Sequence, residues 1–95
     1  MTASNQIQNK ALFEKVKVIS NALRFHILEL TQTKELSITQ LAVALQLSYT
    51  KTADYVKMLE HLGLIFKSKK GKEVKIKSRV VLKSDVIIFN SAPTQ

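Results

Sequence analysis

The chain has 95 residues, of which 45% are hydrophobic, and its 15 Lys and Arg against 7 Asp and Glu give a net charge of +8. This length corresponds to one small domain with a thin core, the kind that often gains stability from a partner subunit. The absence of cysteine excludes disulfides, thiolate metal sites and a cysteine nucleophile.

Residues 9–89 are predicted to form the domain, with a flexible N-terminal segment at 1–8 and a flexible tail at 90–95. The first residues lack the basic and then apolar pattern of a signal peptide, and no apolar run approaches the roughly 20 residues of a membrane helix. We therefore expect a cytoplasmic protein without a membrane segment.

Two helices are predicted in the first third of the chain. The first begins near Asn9, and Ser20 with Asn21 marks a break and a cap before the second helix, which ends near Thr33. Spacings of three and four place one apolar stripe on the first helix and its junction, formed by Leu12, Phe13, Val16, Ile19 and Leu23.

Two more helices follow, each with a serine at its start. Ser37 with Gln40 three residues later has the spacing of a capping box, and Ser48 can cap the next helix, which extends from Tyr49 to about Leu62. Gly63 then stands where a left-handed residue commonly ends a helix. The predicted inward residues are Ile38, Leu41, Ala42 and Leu45, and then Thr52, Val56, Leu59 and Leu62.

Beyond Gly63 the hydrophobic period changes to two, which indicates a β-hairpin with a turn at Lys70 and Gly71 and with one face covered by lysines. Residues 79–89 are rich in β-branched side chains and are predicted to be extended, with a kink at Ser84 and Asp85. A short helix capped by Ser84 is the alternative.

Most of the excess positive charge lies in residues 66–83. This segment holds seven lysines and one arginine against the single acid Glu73, a net charge of +7. Such a concentrated field favours binding to a polyanion, and it directly follows the predicted helix-turn-helix. A solvated hairpin edge, protected by its lysines from aggregation, is the alternative interpretation.

The sequence resembles the ArsR-type winged-helix repressors and their archaeal relatives over roughly residues 20–78. The matching positions are Asn21, Arg24, Ile27, Leu28, Leu30, Leu36, Ser37, Leu41, Ala42, Leu45, Leu47, Ser48, Leu59, Glu60, Gly63, Leu64 and Ile65. The resemblance implies an α+β winged helix-turn-helix, with three or four helices and a C-terminal β-hairpin wing. It also implies a transcriptional regulator that binds double-stranded DNA near the nucleoid.

Several features argue against metal binding and catalysis. The metal sensors of the resembled family carry paired cysteines, which this chain lacks, and His26 and His61 have no ligand-like spacing. With only Gly63 and Gly71 there is no glycine-rich phosphate loop, and we find no nucleophile motif. We therefore expect no enzyme, no cofactor and no metal, and no small-molecule effector is evident.

An α-helix fits the major groove of DNA and its first turns reach base edges, so the start of the helix from Tyr49 is the predicted reading element. The predicted DNA-binding residues are Ser48, Tyr49, Thr50, Lys51, Asp54, Lys67, Lys69, Lys70, Lys72, Lys75 and Lys77. If six wing lysines neutralise phosphates, log affinity falls with log salt at a slope of about −5.

Other roles are possible for single residues near this site. The alternatives are a plain surface role for Lys51, a capping role for Ser48, and a surface ion pair of Arg24 with Glu29 or Glu60.

The resembled family forms two-fold dimers through its first helix and a C-terminal element. By that resemblance the predicted dimer interface comprises Leu12, Phe13, Val16, Ile87 and Phe89. The alternative is that these side chains complete the core of the monomer. Two further functions remain open, namely a sequence-neutral architectural DNA-binding protein and a winged-helix module that binds another protein.

Overall fold

The computed structural model of the chain describes residues 7–90, and within them four helices precede four strands. Most of the two predicted flexible ends, 1–8 and 90–95, therefore lies outside the described residues. The elements are α1 Lys10–Ile19, α2 Ala22–Thr33, α3 Ile38–Leu45, α4 Tyr49–His61, β1 Ile65–Lys70, β2 Glu73–Ser78, β3 Val80–Leu82 and β4 Ile87–Phe89.

Each helix starts at a polar residue whose side chain accepts a hydrogen bond from the first turn. Asn9, Asn21, Ser37 and Ser48 are these caps. Gln40 completes the predicted capping box, because its Oε1 accepts from Ser37 N–H at 2.8 Å while Gln40 N–H donates to Ser37 Oγ at 3.1 Å. Caps of this kind satisfy amides that have no partner inside the helix, which fixes where each helix begins.

Two left-handed residues end the helices of the helix-turn-helix. Gln46 has φ of 58° at the end of α3, and its N–H donates to Val43 O at 3.2 Å, so the chain turns sharply before Ser48 starts α4. Gly63 has φ of +73° just beyond α4, as its position in the sequence predicted. The turn at Gln46 sets α3 against α4, and the turn at Gly63 leads from α4 into β1.

The core joins all four helices to the strands. Its buried apolar residues are Ile19, Ile27, Leu28, Leu41, Ala42, Leu45, Tyr55, Val56, Leu59, Leu64, Ile65, Ile76 and Val80. Two buried threonines also lie here, and each hydroxyl donates to the carbonyl four residues earlier: Thr31 to Ile27 at 2.7 Å and Thr52 to Ser48 at 2.8 Å. Both threonine hydroxyls are thus satisfied by carbonyls one turn earlier along the chain.

β1 and β2 form the predicted hairpin, with Ile65 opposite Ser78 and Lys70 opposite Glu73. This register places the two-residue turn at Gly71 and Lys72, one position later than predicted. Gly71 has φ of +64° at the first central position, the conformation for which glycine is favoured in type II′ turns. The base of the hairpin is buried through Ile65 and Ile76, whereas its tip is exposed.

Residues 80–89 form a second antiparallel hairpin rather than one kinked strand. Val80 pairs with Phe89, Val81 with Ile88, and Leu82 with Ile87. Across the Ser84 and Asp85 turn, Lys83 N–H donates to Val86 O at 2.9 Å. The extended prediction is therefore confirmed and the helical alternative is wrong, because β-branched residues on both sides of a two-residue polar turn favour a hairpin.

Candidate nucleic-acid interface

The start of α4 displays the side chains that the sequence singled out. Ser48, Tyr49, Thr50, Lys51 and Asp54 are all exposed, while Thr52, Val56 and Leu59 of the same helix are buried. Ser48 Oγ accepts from Lys51 N–H at 3.0 Å, so this hydroxyl acts as a cap. The exposed first turn presents free helix amides and polar side chains together, a surface suited to anions and to base edges.

The ring of Tyr55 packs beneath the exposed side chains at the start of α4. Its ring is buried, and the Lys51 ammonium and the Arg24 guanidinium lie 5.2 and 5.4 Å from its centroid, within cation–π range. Arg24 does not form the surface ion pair considered from the sequence, since its Nε donates to the carbonyl of Val18. The ring thus holds two cations near the start of the exposed helix.

Both acids considered for Arg24 have other partners. Glu29 Oε1 lies 3.0 Å from His26 Nδ1, and Glu60 Oε1 lies 3.1 Å from Lys67 Nζ. The three-residue spacing of His26 and Glu29 along one helix was visible in the sequence, whereas the contact between α4 and β1 depends on how the hairpin packs.

A groove of about 490 Å³ separates the first turns of α3 and α4 from the tip of the β1–β2 hairpin. Tyr49 contributes from α4 and Lys72 from the hairpin turn, so these two predicted site residues face one cavity. The other lining residues are Ser37, Ile38, Thr39, Gln40, Glu73 and Val74. Residues at the starts of two helices and a lysine therefore line the same space.

The basic hairpin divides its lysines into two groups. Four of them contact other parts of the described chain: Lys67 contacts Glu60, Lys70 contacts Glu35 at 3.6 Å, Lys75 contacts Glu73 at 3.2 Å and Gln40 at 3.3 Å, and Lys77 donates to the carbonyl of Gln32 at 2.8 Å. Within residues 7–90, the ammonium groups of Lys69 and Lys72 have neither an ion-pair nor a hydrogen-bond partner. Sequence reasoning missed this division because all the partners except Glu73 come from distant segments.

The charges of the basic segment, residues 66–83, are divided between the two hairpins. Residues 65–78 of the first hairpin hold six lysines against Glu73, a net charge of +5. Arg79 lies outside this hairpin, with its guanidinium 4.5 Å from the Phe66 ring centroid, and Lys83 lies beside the turn of the second hairpin. The field of the first hairpin is therefore smaller than that of the predicted segment, though it keeps its sign.

The predicted dimer residues lie at the surface. Leu12, Phe13 and Val16 of α1 are 41%, 40% and 43% exposed, and Ile87 of β4 is 45% exposed. Phe89 is half-buried and packs against the core, with Lys15 Nζ 6.0 Å from its ring centroid. Four of the five residues are thus mainly outside the core of the monomer.

The described residues contain no cluster of three or more His, Asp or Glu side chains that could hold a metal ion. Nor does any helix within residues 7–90 combine the length and apolar character needed to cross a membrane. Ser68 Oγ is buried without a hydrogen-bond partner on β1, where nothing in its surroundings points to a ligand.

Comparisons with known proteins agree with this geometry. HlyU from Vibrio vulnificus CMCP6, a transcriptional regulator, is 28% identical over 82% of each chain, with a TM-score of 0.67. An ArsR-like transcriptional regulator from Rhodococcus sp. RHA1 is 24% identical over 82% of this chain and 69% of that one, with a TM-score of 0.70.

A third structure is the homodimeric winged helix-turn-helix DNA-binding domain of Mb0332 from Mycobacterium bovis. It is 20% identical over 79% of this chain and 74% of that one, with a TM-score of 0.68. At these identities the Rhodococcus and Mycobacterium structures establish the fold alone. No curated protein sequence matches the chain significantly.

The family model of the winged helix-turn-helix matches residues 17–79, from the end of α1 to the end of the first hairpin. This range holds α2, α3, α4 and the basic hairpin, which is therefore the wing. The chain belongs to the winged helix-turn-helix family.

Proposed function

We propose that the protein is an ArsR-like transcriptional regulator that binds double-stranded DNA in the cytoplasm as a homodimer. The observation that carries the proposal is the groove shared by Tyr49 and Lys72, because it sets the start of α4 and the tip of the wing on one side of the molecule. A duplex that meets one of these elements also meets the other.

In this proposal α4 enters the major groove. Lys51 and Asp54 are exposed near its start, where a lysine can donate to a guanine edge and an aspartate can accept from a cytosine amino group. Tyr49 and Thr50 contact phosphate or a thymine methyl group. Tyr55 holds the Lys51 side chain, since the ammonium lies 5.2 Å from its ring centroid.

The groove between helix starts and wing seats the sugar–phosphate strand that borders the major groove. The residues that line it come from the starts of α3 and α4 and include Lys72, and both helix starts and lysines favour an anion. Lys69 and Lys72 contact phosphates directly, because they give up no ion pair within the described residues. Lys67 and Lys70 first exchange an exposed ion-pair partner, which costs little. Lys75 and Lys77 are partly buried and bonded within the chain, so they contribute to the field of the wing without leaving their partners.

The homodimer follows from the apolar side chains left at the surface. Leu12, Phe13 and Val16 on α1 and Ile87 on β4 are too exposed to serve the monomer, and the HlyU and Mb0332 relatives have the same fold. A two-fold dimer presents two copies of α4 about one duplex turn apart, so the proposed site is a palindrome. The role is one of occupancy and is not enzymatic.

Selection of bound duplexes from a random pool, at two salt concentrations, tests the proposal. We expect an enriched palindromic site and a specificity ratio of at least about 1,000-fold over unrelated DNA. A preference below about tenfold contradicts sequence-specific regulation and favours an architectural DNA-binding protein. No retention of duplex even at low salt contradicts DNA binding altogether and leaves the protein-interaction module as the remaining interpretation.

A further inference from the structure

The second hairpin has two edges that differ in how their backbone groups are satisfied. In an antiparallel ladder, residues alternate between pairs that bond each other and pairs whose N–H and C=O groups point away from the partner strand. Lys83 N–H donates to Val86 O at 2.9 Å and Asn90 N–H donates to Arg79 O at 3.2 Å. These two bonds show that Val81 and Ile88 form a hydrogen-bonded pair. The backbone N–H and C=O groups of the pairs on either side, Val80 with Phe89 and Leu82 with Ile87, therefore point away from the partner strand.

The outer edge of β3 is covered. Val80 N–H donates to Ser78 Oγ at 2.9 Å, and Leu82 N–H donates to Gln32 Oε1 on α2. Both outward donors of this strand are therefore satisfied within the monomer, and β3 offers no free donor to another chain.

The outer edge of β4 is not covered. The residues of β4 whose backbone groups point away from β3 are Ile87 and Phe89. Neither of their N–H groups donates a hydrogen bond to an acceptor within residues 7–90. The strand and the residue before it are also apolar and accessible, with Val86 48%, Ile87 45% and Ile88 38% exposed. An exposed, uncharged edge of this kind is a template for another strand.

We propose that β4 pairs with β4 of a second copy of the chain, antiparallel and with the two-fold axis at Ile88. Ile87 and Phe89 lie at equal distances on the two sides of Ile88, so Ile87 of one copy faces Phe89 of the other. Each such pair exchanges both N–H···O=C bonds, which gives four hydrogen bonds and a continuous four-stranded sheet in the order β3, β4, β4, β3.

A second copy is the occupant that this edge fits, because the same two residues provide the donors and the acceptors symmetrically about one point. Residues 86–89 also carry no charge, so the paired strands themselves place no like charges opposite each other, although each chain has a net charge of +8. The pairing rests on the proposed homodimer and goes beyond it, since it assigns the strand, the register and the backbone groups that join the copies.

A proline at position 87 tests the backbone bonds. Ile87→Pro removes an outward N–H and leaves the β3 ladder intact, the setting in which strands tolerate proline. Ile87→Thr is the matched control, since it keeps the N–H and a β-branched side chain. By sedimentation we expect Ile87→Pro to raise the dimer dissociation constant about 30-fold or more and Ile87→Thr to change it less than about fivefold.

A single cysteine at the axis tests the register, because the natural chain contains none. In the proposed sheet the two Ile88 Cα atoms form a close non-bonded pair about 4.5 Å apart, within disulfide range, whereas the two Val86 Cα atoms are about 14 Å apart. Ile88→Cys is expected to form a covalent dimer rapidly under mild oxidation, and Val86→Cys to form one at least about tenfold more slowly.

The outcomes are decisive because both cysteine variants leave the hairpin ladder in place. A monomeric parent protein, equal dimerisation of Ile87→Pro and the parent, or equal cross-linking at positions 86 and 88 overturns the pairing. Equal loss of dimer in Ile87→Pro and Ile87→Thr overturns it as well, since side-chain packing then explains the contact. Duplex binding is measured separately: rapid cross-linking at position 88 by a protein that does not bind DNA upholds the pairing and contradicts the proposed function.

Discussion

Leu36 and Ile76 exchange two backbone hydrogen bonds, with N···O distances of 3.1 and 2.7 Å. They join the segment before α3 to the middle of β2, and Ile76 is completely buried. The base of the wing is therefore attached to the same core that positions α3 and α4. This packing sets the direction in which the wing tip projects, so the wing lysines keep a fixed position relative to α3 and α4.

The lysines without acidic partners are expected to dominate the salt dependence of DNA binding. Lys69→Ala/Lys72→Ala lowers affinity for all sequences and reduces the magnitude of the log–log salt slope by about 2 for each wing, since each phosphate contact contributes about 0.9. Lys10→Ala/Lys83→Ala removes the same charge outside the wing and is the control. Titrations of one duplex at several salt concentrations measure both slopes, and equal slopes contradict the phosphate contacts.

Lys51 is expected to determine site preference. Lys51→Ala removes a donor at the exposed start of α4, so we expect discrimination at one base pair per half-site to fall by about 1–3 kcal/mol. Lys57→Ala, an exposed lysine later on the same helix, should lower affinity without changing the preferred base. Competition binding with single-base variants of the selected site measures the difference. A uniform loss across all variants would identify Lys51 as a phosphate contact.

The capping box at the start of α3 is expected to contribute to stability. Ser37→Ala removes the acceptor of the Gln40 N–H, and loss of such a cap costs about 1 kcal/mol. In a domain of this size that lowers Tm by about 4–8 °C. Thr39→Ala changes an exposed residue in the same turn and serves as the control. Thermal unfolding followed by circular dichroism tests this, and equal Tm values for the two variants would exclude a stabilising cap.

Gly63 is expected to be required because of its left-handed backbone conformation, and not because a larger side chain would clash with a neighbour. It has φ of +73°, and an added Cβ meets no atom within 4 Å. Gly63→Ala therefore destabilises the protein by about 1–2 kcal/mol through the left-handed conformation alone, while Gly63→Asn costs less because asparagine tolerates that region better. Urea unfolding of the two variants measures the order. If alanine is no worse than asparagine, the strain argument fails.

The exposed face of α1 is expected to take part in self-association. Phe13→Glu places a charge on a side chain that is 40% exposed, so the monomer should fold normally while the dimer weakens by about tenfold or more. Ala11→Glu introduces the same charge at an exposed position on the opposite side of the helix. Sedimentation velocity compares the two, and equal dimer fractions would remove α1 from the interface.

Local signals in the sequence were sufficient for the helices, the capping box, Gly63 and the wing. Ser37 and Gln40 interact over three residues, and the stripe from Thr52 to Leu59 follows the helical period. The helix features depend on neighbours within about one turn, so the local sequence is enough to predict them. The stripe on α1 shows the limit of this reasoning, since of its residues only Ile19 is buried.

Amino-acid order alone determined that this chain is a winged helix-turn-helix with a basic wing, because hydrophobic period, caps and charge are local properties. Tertiary structure decided which lysines have partners, as Lys75 with Gln40 and Lys77 with Gln32 are 35 and 45 residues apart. It also decided that residues 80–89 fold back with one edge covered by Gln32 and the other left open by residues 7–90. These contacts arise only when distant segments pack together, and no periodicity in the chain encodes them.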